Sequence, residues 1–210
     1  LSGFVIAYAA DTREQDFRGF MVARGARIYS VAIPAIILTM VLDAAGFHID
    51  ESVYPEGYRA WDLPLIRVFT SSLFLNEIWT LGIQLFTNVP YWSLNYEVWY
   101  YVLFGILFFV SGKRRWLLFL LLCVLLGPKI LLLMPVWWMG VWVYQSKYLA
   151  SLPRPLAWLC LAISLVGGYW YVHMNMGQRG WDYLQHLLGE DLHLQLSFSR
   201  QFISDYYLGA

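Results

Sequence analysis

Long apolar runs alternate with short polar or basic interruptions along this chain, and the runs have the length of membrane-spanning helices. The clearest run covers residues 94–110, in which Glu97 is the only carboxylate, and it is followed by the basic residues 113–115. A helix needs about 20 mostly apolar residues to cross a bilayer, and Lys and Arg collect on the cytoplasmic side. The pattern therefore predicts a transmembrane helix that ends at the cytoplasm.

The same pattern predicts further helices on both sides of this run. Residues 13–27 are basic with apolar residues at helical spacing, which predicts a helix at the cytoplasmic interface that is capped by Asp11 or Thr12. Gly127 and Pro128 give a strong turn signal between two apolar arms. We expect full or partial spans at 1–8, 28–42 (kinked at Pro34), 116–126, 130–144 and 156–172, an interfacial helix at 65–75, and outer loops at 43–89 and 173–200.

Composition favours a membrane protein over a soluble one. Hydrophobic residues make up 60% of the chain and charged residues only 13%, whereas soluble domains average about 25% charged residues. We expect an all-α polytopic transmembrane helix bundle with roughly six to seven membrane segments. Because the chain opens and closes within helical apolar patterns, we interpret residues 1–210 as part of a single transmembrane domain that is truncated at both ends.

Several kinds of site are not indicated. The net charge is zero and there is no basic tail, which argues against nucleic-acid binding. Cys123 and Cys160 lie inside apolar runs, where cysteine acts as a small hydrophobe, so neither a disulfide framework nor a zinc site is suggested.

Two polar clusters could be proposed as metal sites. The first lacks the spacing that metal ligands show on a helix or a turn, and an exposed polar loop is the favoured interpretation of both, so we expect no metal. The clusters are His48 with Asp50 and Glu51, and His186 and His193 with Glu190 and Asp191.

Three charged residues are candidates for chemistry. Arg24 and Arg27 are three residues apart, so their guanidinium groups would be neighbours on a helix, and two such groups suit a polyanionic ligand. The alternative is that these arginines only follow the positive-inside rule. Glu97 is either a functional carboxylate within the membrane or part of an interfacial aromatic belt, with its side chain extending to water. The residues alone leave both alternatives open.

Three motifs in order and spacing resemble segments of the acyltransferase 3 family of integral membrane acyltransferases. Leu1-Ser2-Gly3-Phe4 resembles its LSGF segment. Arg24-Gly25-Ala26-Arg27-Ile28-Tyr29-Ser30 resembles its RxxRIxP segment, with Ser30 where proline is usual. Trp92-Ser93-Leu94-Asn95-Tyr96-Glu97 resembles its WSLxxE signature, followed by the aromatic pair Tyr100 and Tyr101.

This resemblance implies transfer of an acyl group, most often acetyl, from cytoplasmic acyl-coenzyme A to a hydroxyl of a glycan or cell-surface polysaccharide. Arg24 and Arg27 would bind the donor phosphates, and Glu97 would support catalysis. Trp92, Ser93 and Tyr96 would line the acceptor cavity. The general base would be a histidine upstream of Leu1, preceded by an arginine, so the chain alone is expected to be inactive.

The resemblance also implies partners and a location. Acyl-coenzyme A is a co-substrate, no cofactor is permanently bound, the acceptor is a carbohydrate, and the protein is a multi-pass protein of the plasma (inner) membrane. The alternative functions are a transporter or flippase for a glycan-type substrate, in which Glu97 is a coupling carboxylate, and an inactive homologue.

Overall fold

The computed structural model describes residues 1–14, 16–54 and 63–209. Within these ranges every regular element is a helix and none is a strand, so the all-α prediction is confirmed. The α-helices are α1 Ser2–Thr12, α2 Phe17–Ile49, α3 Pro64–Ser72, α4 Trp92–Phe109, α5 Gly112–Leu126, α6 Pro128–Gln145, α7 Lys147–Ala150, α8 Arg154–His173, α9 Met176–Leu188, α10 Glu190–Gln195 and α11 Phe202–Gly209.

Several predicted elements are present close to their expected bounds. Helices α4, α5, α6 and α8 match the predicted runs, and α3 matches most of the interfacial helix expected at 65–75. Helix α5 ends at Leu126 and α6 begins at Pro128. Gly127 lies between them with φ +78°, a conformation that glycine adopts without steric cost. The turn predicted from Gly127 and Pro128 is therefore confirmed.

The two separate helices predicted for residues 13–42 are wrong, because helix α2 is continuous there from Phe17. An interfacial helix at 13–27 and a separate span at 28–42 were expected, but one helix of 33 residues covers most of both. Its N-cap is Asp16, whose side chain accepts a hydrogen bond from Gly19 N at 2.7 Å, whereas Asp11 and Thr12 belong to α1. Arginine is a good helix former, so the basic residues interrupt the hydropathy pattern without ending the helix.

The loop expected at 173–200 is also wrong, because most of it is helical. Helices α9 and α10 lie in this segment and are separated by Gly189, where φ is +79°. Helix α9 is amphipathic. Its apolar residues recur at helical spacing, Leu184 is buried, and a polar face is exposed. The high charge content of the segment hid this amphipathic period.

Two of the described helices, α2 and α8, are long and apolar enough to span a membrane. No residue of α8 is buried, although the helix is almost entirely apolar. A large exposed apolar surface of this kind marks contact with a membrane or a partner. Helix α4 does not reach the same apolarity, because Asn95, Tyr96 and Glu97 lower the mean hydropathy of its first two turns.

The chain divides into two compact units, Gln15–Ile130 (the central unit) and Leu1–Glu14 with Leu131–Ala210 (the terminal unit). In the central unit, α2 packs along α4, and α2 buries one stripe of residues at spacings of three and four. That stripe is Phe20, Arg24, Ile28, Ala32, Ile36, Thr39 and Asp43.

In the terminal unit, α1 packs closely on α6 through two glycines. A Cβ at Gly3 would overlap the carbonyl oxygen of Trp137, and a Cβ at Gly140 would lie 2.9 Å from Phe4 N. Small residues allow two helix backbones to approach in this way. Gly3 is the glycine of the first motif, so this contact gives a packing reason for its presence.

Gly3→Ala is therefore expected to destabilise the protein by about 1–3 kcal/mol, because the added methyl group would push α1 away from α6. Gly168→Ala is the matched control, since no atom lies within 4 Å of its Cβ position. That change is expected to be neutral or stabilising by up to about 1 kcal/mol. Thermal unfolding of both variants in one detergent measures the difference, and equal midpoints would contradict this packing.

Candidate functional site

The site residues predicted from sequence all lie on α2 or α4, and these two helices pack along each other. The Phe20 and Phe104 rings lie 5.9 Å apart, and the Cβ position of Gly105 is 3.1 Å from the Phe20 ring. Near the other end of α2, the Asp43 carboxylate accepts hydrogen bonds from Thr87, which precedes α4. The two helices are therefore antiparallel.

This register brings one of the predicted arginines towards the predicted carboxylate. Arg24 follows Phe20 by one helical turn, which places it at the level of Tyr101 in α4, one turn from Glu97. Arg24 is only 8% exposed, and its guanidinium carbon lies 5.4 Å from the centre of the Phe20 ring. A buried guanidinium near a carboxylate is favoured, because burial of a charge is costly unless it is compensated.

Arg27 differs from Arg24 in its surroundings. It lies on the same helix one turn further on, but its side chain is exposed and does not belong to the buried stripe. An exposed guanidinium at this point is free to move towards a phosphate in solution, whereas Arg24 is held among packed side chains. Binding of one polyanionic ligand by both Arg24 and Arg27 stays a prediction.

Glu97 is half-buried, and Tyr101 holds it in place. The Tyr101 hydroxyl donates a hydrogen bond to Glu97 Oε1 across one helical turn, and Tyr101 itself is 3% exposed. The carboxylate is thus oriented by a buried phenol within α4. The hydrogen bond orients the carboxylate, and a functional role for Glu97 stays a prediction.

The three other predicted residues have unequal surroundings. Tyr96 is buried, and the Trp92 ring meets it edge-on at 5.2 Å. Ser93 is exposed, and its hydroxyl donates to the carbonyl of Pro90 at 3.0 Å. Trp92 and Tyr96 therefore form one aromatic cluster, whereas the Ser93 hydroxyl closes a local turn.

A buried ion pair near these helices was missed by the sequence prediction. Lys129 Nζ lies 2.6 Å from Glu77 Oε2, both side chains are at most 2% exposed, and the ammonium group also donates to the carbonyl of Leu81. Charged groups are rarely so buried without a partner. A signal for it existed, because Lys129 is the only charged residue between Trp116 and Tyr144.

Trp79 attaches the same loop to the break between α5 and α6. Its backbone N–H donates to Leu126 at 3.0 Å, and its indole N–H donates to the carbonyl of Val124 at 3.0 Å. A Cβ at Gly127 would lie 2.9 Å from the Trp79 ring, so a glycine is needed there. The loop after α3 is therefore fixed to this turn by both an ion pair and hydrogen bonds.

Two buried asparagines, also missed, connect this loop to the third motif. The side-chain oxygen of Asn95 accepts from Asn76 N at 3.3 Å, and the Asn76 amide donates to Ser71 Oγ at 3.0 Å and to Ile83 O at 2.6 Å. Asn95 is completely buried. One of the two residues that the motif leaves variable, Asn95, is thus the one that anchors the loop to α4.

Tyr91 completes this polar network. Its hydroxyl donates to the carbonyl of Ser71 at 2.9 Å, and its ring stacks on Phe74. Burial, and to a lesser extent the nearby Tyr29, raises the pKa of the Tyr91 phenol, because both disfavour the phenolate. Tyr91 therefore remains a neutral donor that holds the start of α4.

The polar clusters considered as metal sites do not come together in the described part of the chain, where no group of three or more His, Cys, Asp or Glu side chains could hold a metal ion. His186 is exposed, whereas His193 is buried, with its ring 4.7 Å from Trp181 and its Nε2 3.2 Å from Arg200 O. Asp50 accepts two hydrogen bonds from Ser52, which lower its pKa.

Comparison with known proteins adds no relative. No family model, no curated protein and no solved structure matches this chain. The resemblance to the acyltransferase 3 family therefore rests on the three motifs alone.

Proposed function

We propose that this chain is part of a membrane-embedded acyltransferase that moves an acyl group, most often acetyl, from cytoplasmic acyl-coenzyme A to a hydroxyl of a glycan. The observation that supports the proposal is the antiparallel packing of α2 along α4, in which buried Arg24 of one motif and Glu97 of another lie at levels about one helical turn apart. Two motifs that are about 70 residues apart in sequence thus lie on two helices that pack against each other.

The proposed protein crosses the plasma (inner) membrane several times, and exposed apolar helix faces support its contact with a membrane. Helix α8 buries no residue. Helix α5 also carries an exposed apolar face next to its basic first turn, formed by Trp116, Leu117, Leu120, Leu121 and Val124. Lipid chains are the natural cover for such faces, and the basic turn fits a cytoplasmic end.

The donor would be recognised by charge. Acyl-coenzyme A carries phosphate groups, and a planar guanidinium binds phosphate through two parallel hydrogen bonds. Exposed Arg27 suits direct contact with phosphate, and buried Arg24 suits a position deeper in the site, close to Glu97. The two arginines would therefore have different roles in donor binding.

Glu97 would act on the acceptor side. In the transfer step, a base removes the acceptor hydroxyl proton while that oxygen bonds to the thioester carbonyl carbon. The carbon–sulfur bond then breaks, and the thiolate leaves and takes up a proton as coenzyme A. The resemblance assigns the base to a histidine upstream of Leu1, so Glu97, held by Tyr101, would hydrogen-bond and orient the reacting groups.

One observation favours transport as the second candidate function. A half-buried carboxylate in a largely apolar helix can couple proton movement to substrate movement. In that case the acceptor-like glycan would cross a sealed membrane without any consumption of acyl-coenzyme A, which separates the two functions.

The donor-binding role is tested by charge removal at Arg27. Arg27→Gln is expected to raise the KM for acetyl-coenzyme A by at least about tenfold, because a hydrogen bond to a charged group contributes about 1.5–3 kcal/mol. Arg18→Gln removes one exposed charge from the same helix and is expected to change KM less than twofold. Transfer of labelled acetyl groups by the protein expressed from its whole gene measures both constants. An unchanged KM in Arg27→Gln would remove the donor-binding role.

A further inference from the structure

The terminal unit contains a cavity that the proposed acyl transfer does not use. It has a volume of about 420 Å³, within the range of about 300–1,000 Å³ that is usual for small-molecule sites. Helices α8, α9 and α11 form its walls. Four aromatic rings line it, those of Trp170, Tyr171, Tyr183 and Tyr207.

The lining is largely apolar, and it carries one charged residue and the hydroxyl side chain of Ser204. Met174 and Met176 add flexible thioether side chains, which adapt to an occupant of irregular shape. Arg179 is the charged residue of the lining, and its side chain is largely exposed. The cavity therefore offers an apolar interior next to one positive charge.

The neighbouring surface indicates where an occupant would come from. The cavity includes the last turn of α8, and no residue of this apolar, membrane-length helix is buried. Helix α9 is amphipathic, as helices at a membrane interface are. Asn175 makes no side-chain cap at the start of α9, so the positive end of the helix dipole adds to the charge of Arg179.

We infer that this cavity binds an anionic phospholipid, with an acyl chain among the aromatic and methionine side chains and the headgroup at Arg179. The apolar interior matches the chain, and the continuity with the apolar surface of α8 gives lipid a path from the bilayer. Charge complementarity selects an anionic headgroup over a zwitterionic one, because basic side chains near the membrane surface attract anionic lipids.

Two variants separate the contributions of charge and cavity. Arg179→Gln removes the charge from an exposed side chain, and Ile203→Trp fills the cavity from a residue that lines it and is 40% exposed. Arg154→Gln is the matched control, because it removes an exposed charge at the opposite end of α8.

The protein would be reconstituted in bilayers of equimolar phosphatidylglycerol and phosphatidylcholine with identical chains. Retained lipid would then be measured by native mass spectrometry, with and without sodium oleate. The wild type and Arg154→Gln are expected to retain phosphatidylglycerol in preference to phosphatidylcholine. Arg179→Gln should reduce that preference about fivefold, as expected for one basic residue near the surface, and Ile203→Trp should retain neither lipid.

Four outcomes would overturn the inference. They are retention of no lipid by the wild type, equal retention of both phospholipids, displacement of phosphatidylglycerol by oleate, and unchanged retention in both Arg179→Gln and Ile203→Trp. Displacement by oleate would identify a free fatty acid as the occupant in place of a phospholipid.

Discussion

Lys129→Met is expected to lower the thermal unfolding midpoint by about 10 °C, the largest stability effect of any single change proposed for this protein. Removing one partner of a buried ion pair costs about 3–5 kcal/mol, because the other charge stays buried without compensation. In a chain of this size, 1 kcal/mol corresponds to about 2–4 °C. The affected charge is Glu77, which lies in the loop joined to α4 through Asn76.

Two further variants make this expectation specific. Lys147→Met removes an exposed lysine and should change the midpoint by less than about 2 °C, since surface substitutions have small effects. The double variant Glu77→Leu with Lys129→Met should recover part of the loss, because an apolar pair no longer buries a charge. A single variant as stable as the wild type would show that the ion pair does not hold this loop.

Glu97→Gln is expected to reduce kcat for acyl transfer by about 100-fold while the KM for acetyl-coenzyme A changes little. Loss of a group that positions the reacting atoms costs about 100-fold in rate, because a misplacement of about 1 Å is enough to produce that effect. The amide keeps the size of the side chain and can still accept a hydrogen bond from Tyr101, so the fold should be retained.

Two comparison variants show whether charge or position matters at Glu97. Tyr101→Phe leaves the carboxylate in place but removes its donor, and about a tenfold loss of kcat is expected, with the donor KM unchanged. Glu190→Gln is an exposed control in α10 and should retain full activity. Full activity in Glu97→Gln would assign Glu97 to the structure of the helix and not to the reaction.

The helices were predictable to different degrees, for physical reasons. The break at Gly127 carries a local signal, because a glycine with positive φ followed by a proline ends a helix wherever it stands. The continuity of α2 was not visible, since its basic residues interrupt the hydropathy pattern although arginine is a good helix former and does not end the helix. Helix α9 was hidden for the opposite reason, because its charged residues made an amphipathic helix resemble a loop.

The candidate site shows the same difference between local and long-range information. Glu97 could be selected from sequence, because a lone carboxylate in an apolar run is unusual wherever the chain folds. The partners Glu77 and Lys129 are 52 residues apart (129 − 77), and no local pattern joins them. The motifs also do not indicate Asn95 as the residue that connects α4 to Asn76, since its role depends on the path of the loop.

We propose that Arg24, Arg27 and Glu97 serve acyl transfer at a site within the membrane. The most direct measurement supplies labelled acetyl-coenzyme A only to the cytoplasmic face of sealed vesicles that contain the protein expressed from its whole gene. We expect label in a glycan hydroxyl ester, with loss of that label in Glu97→Gln and, at low donor concentration, in Arg27→Gln. Glycan that crosses the membrane unlabelled, with no donor consumed, would contradict the claim and favour transport.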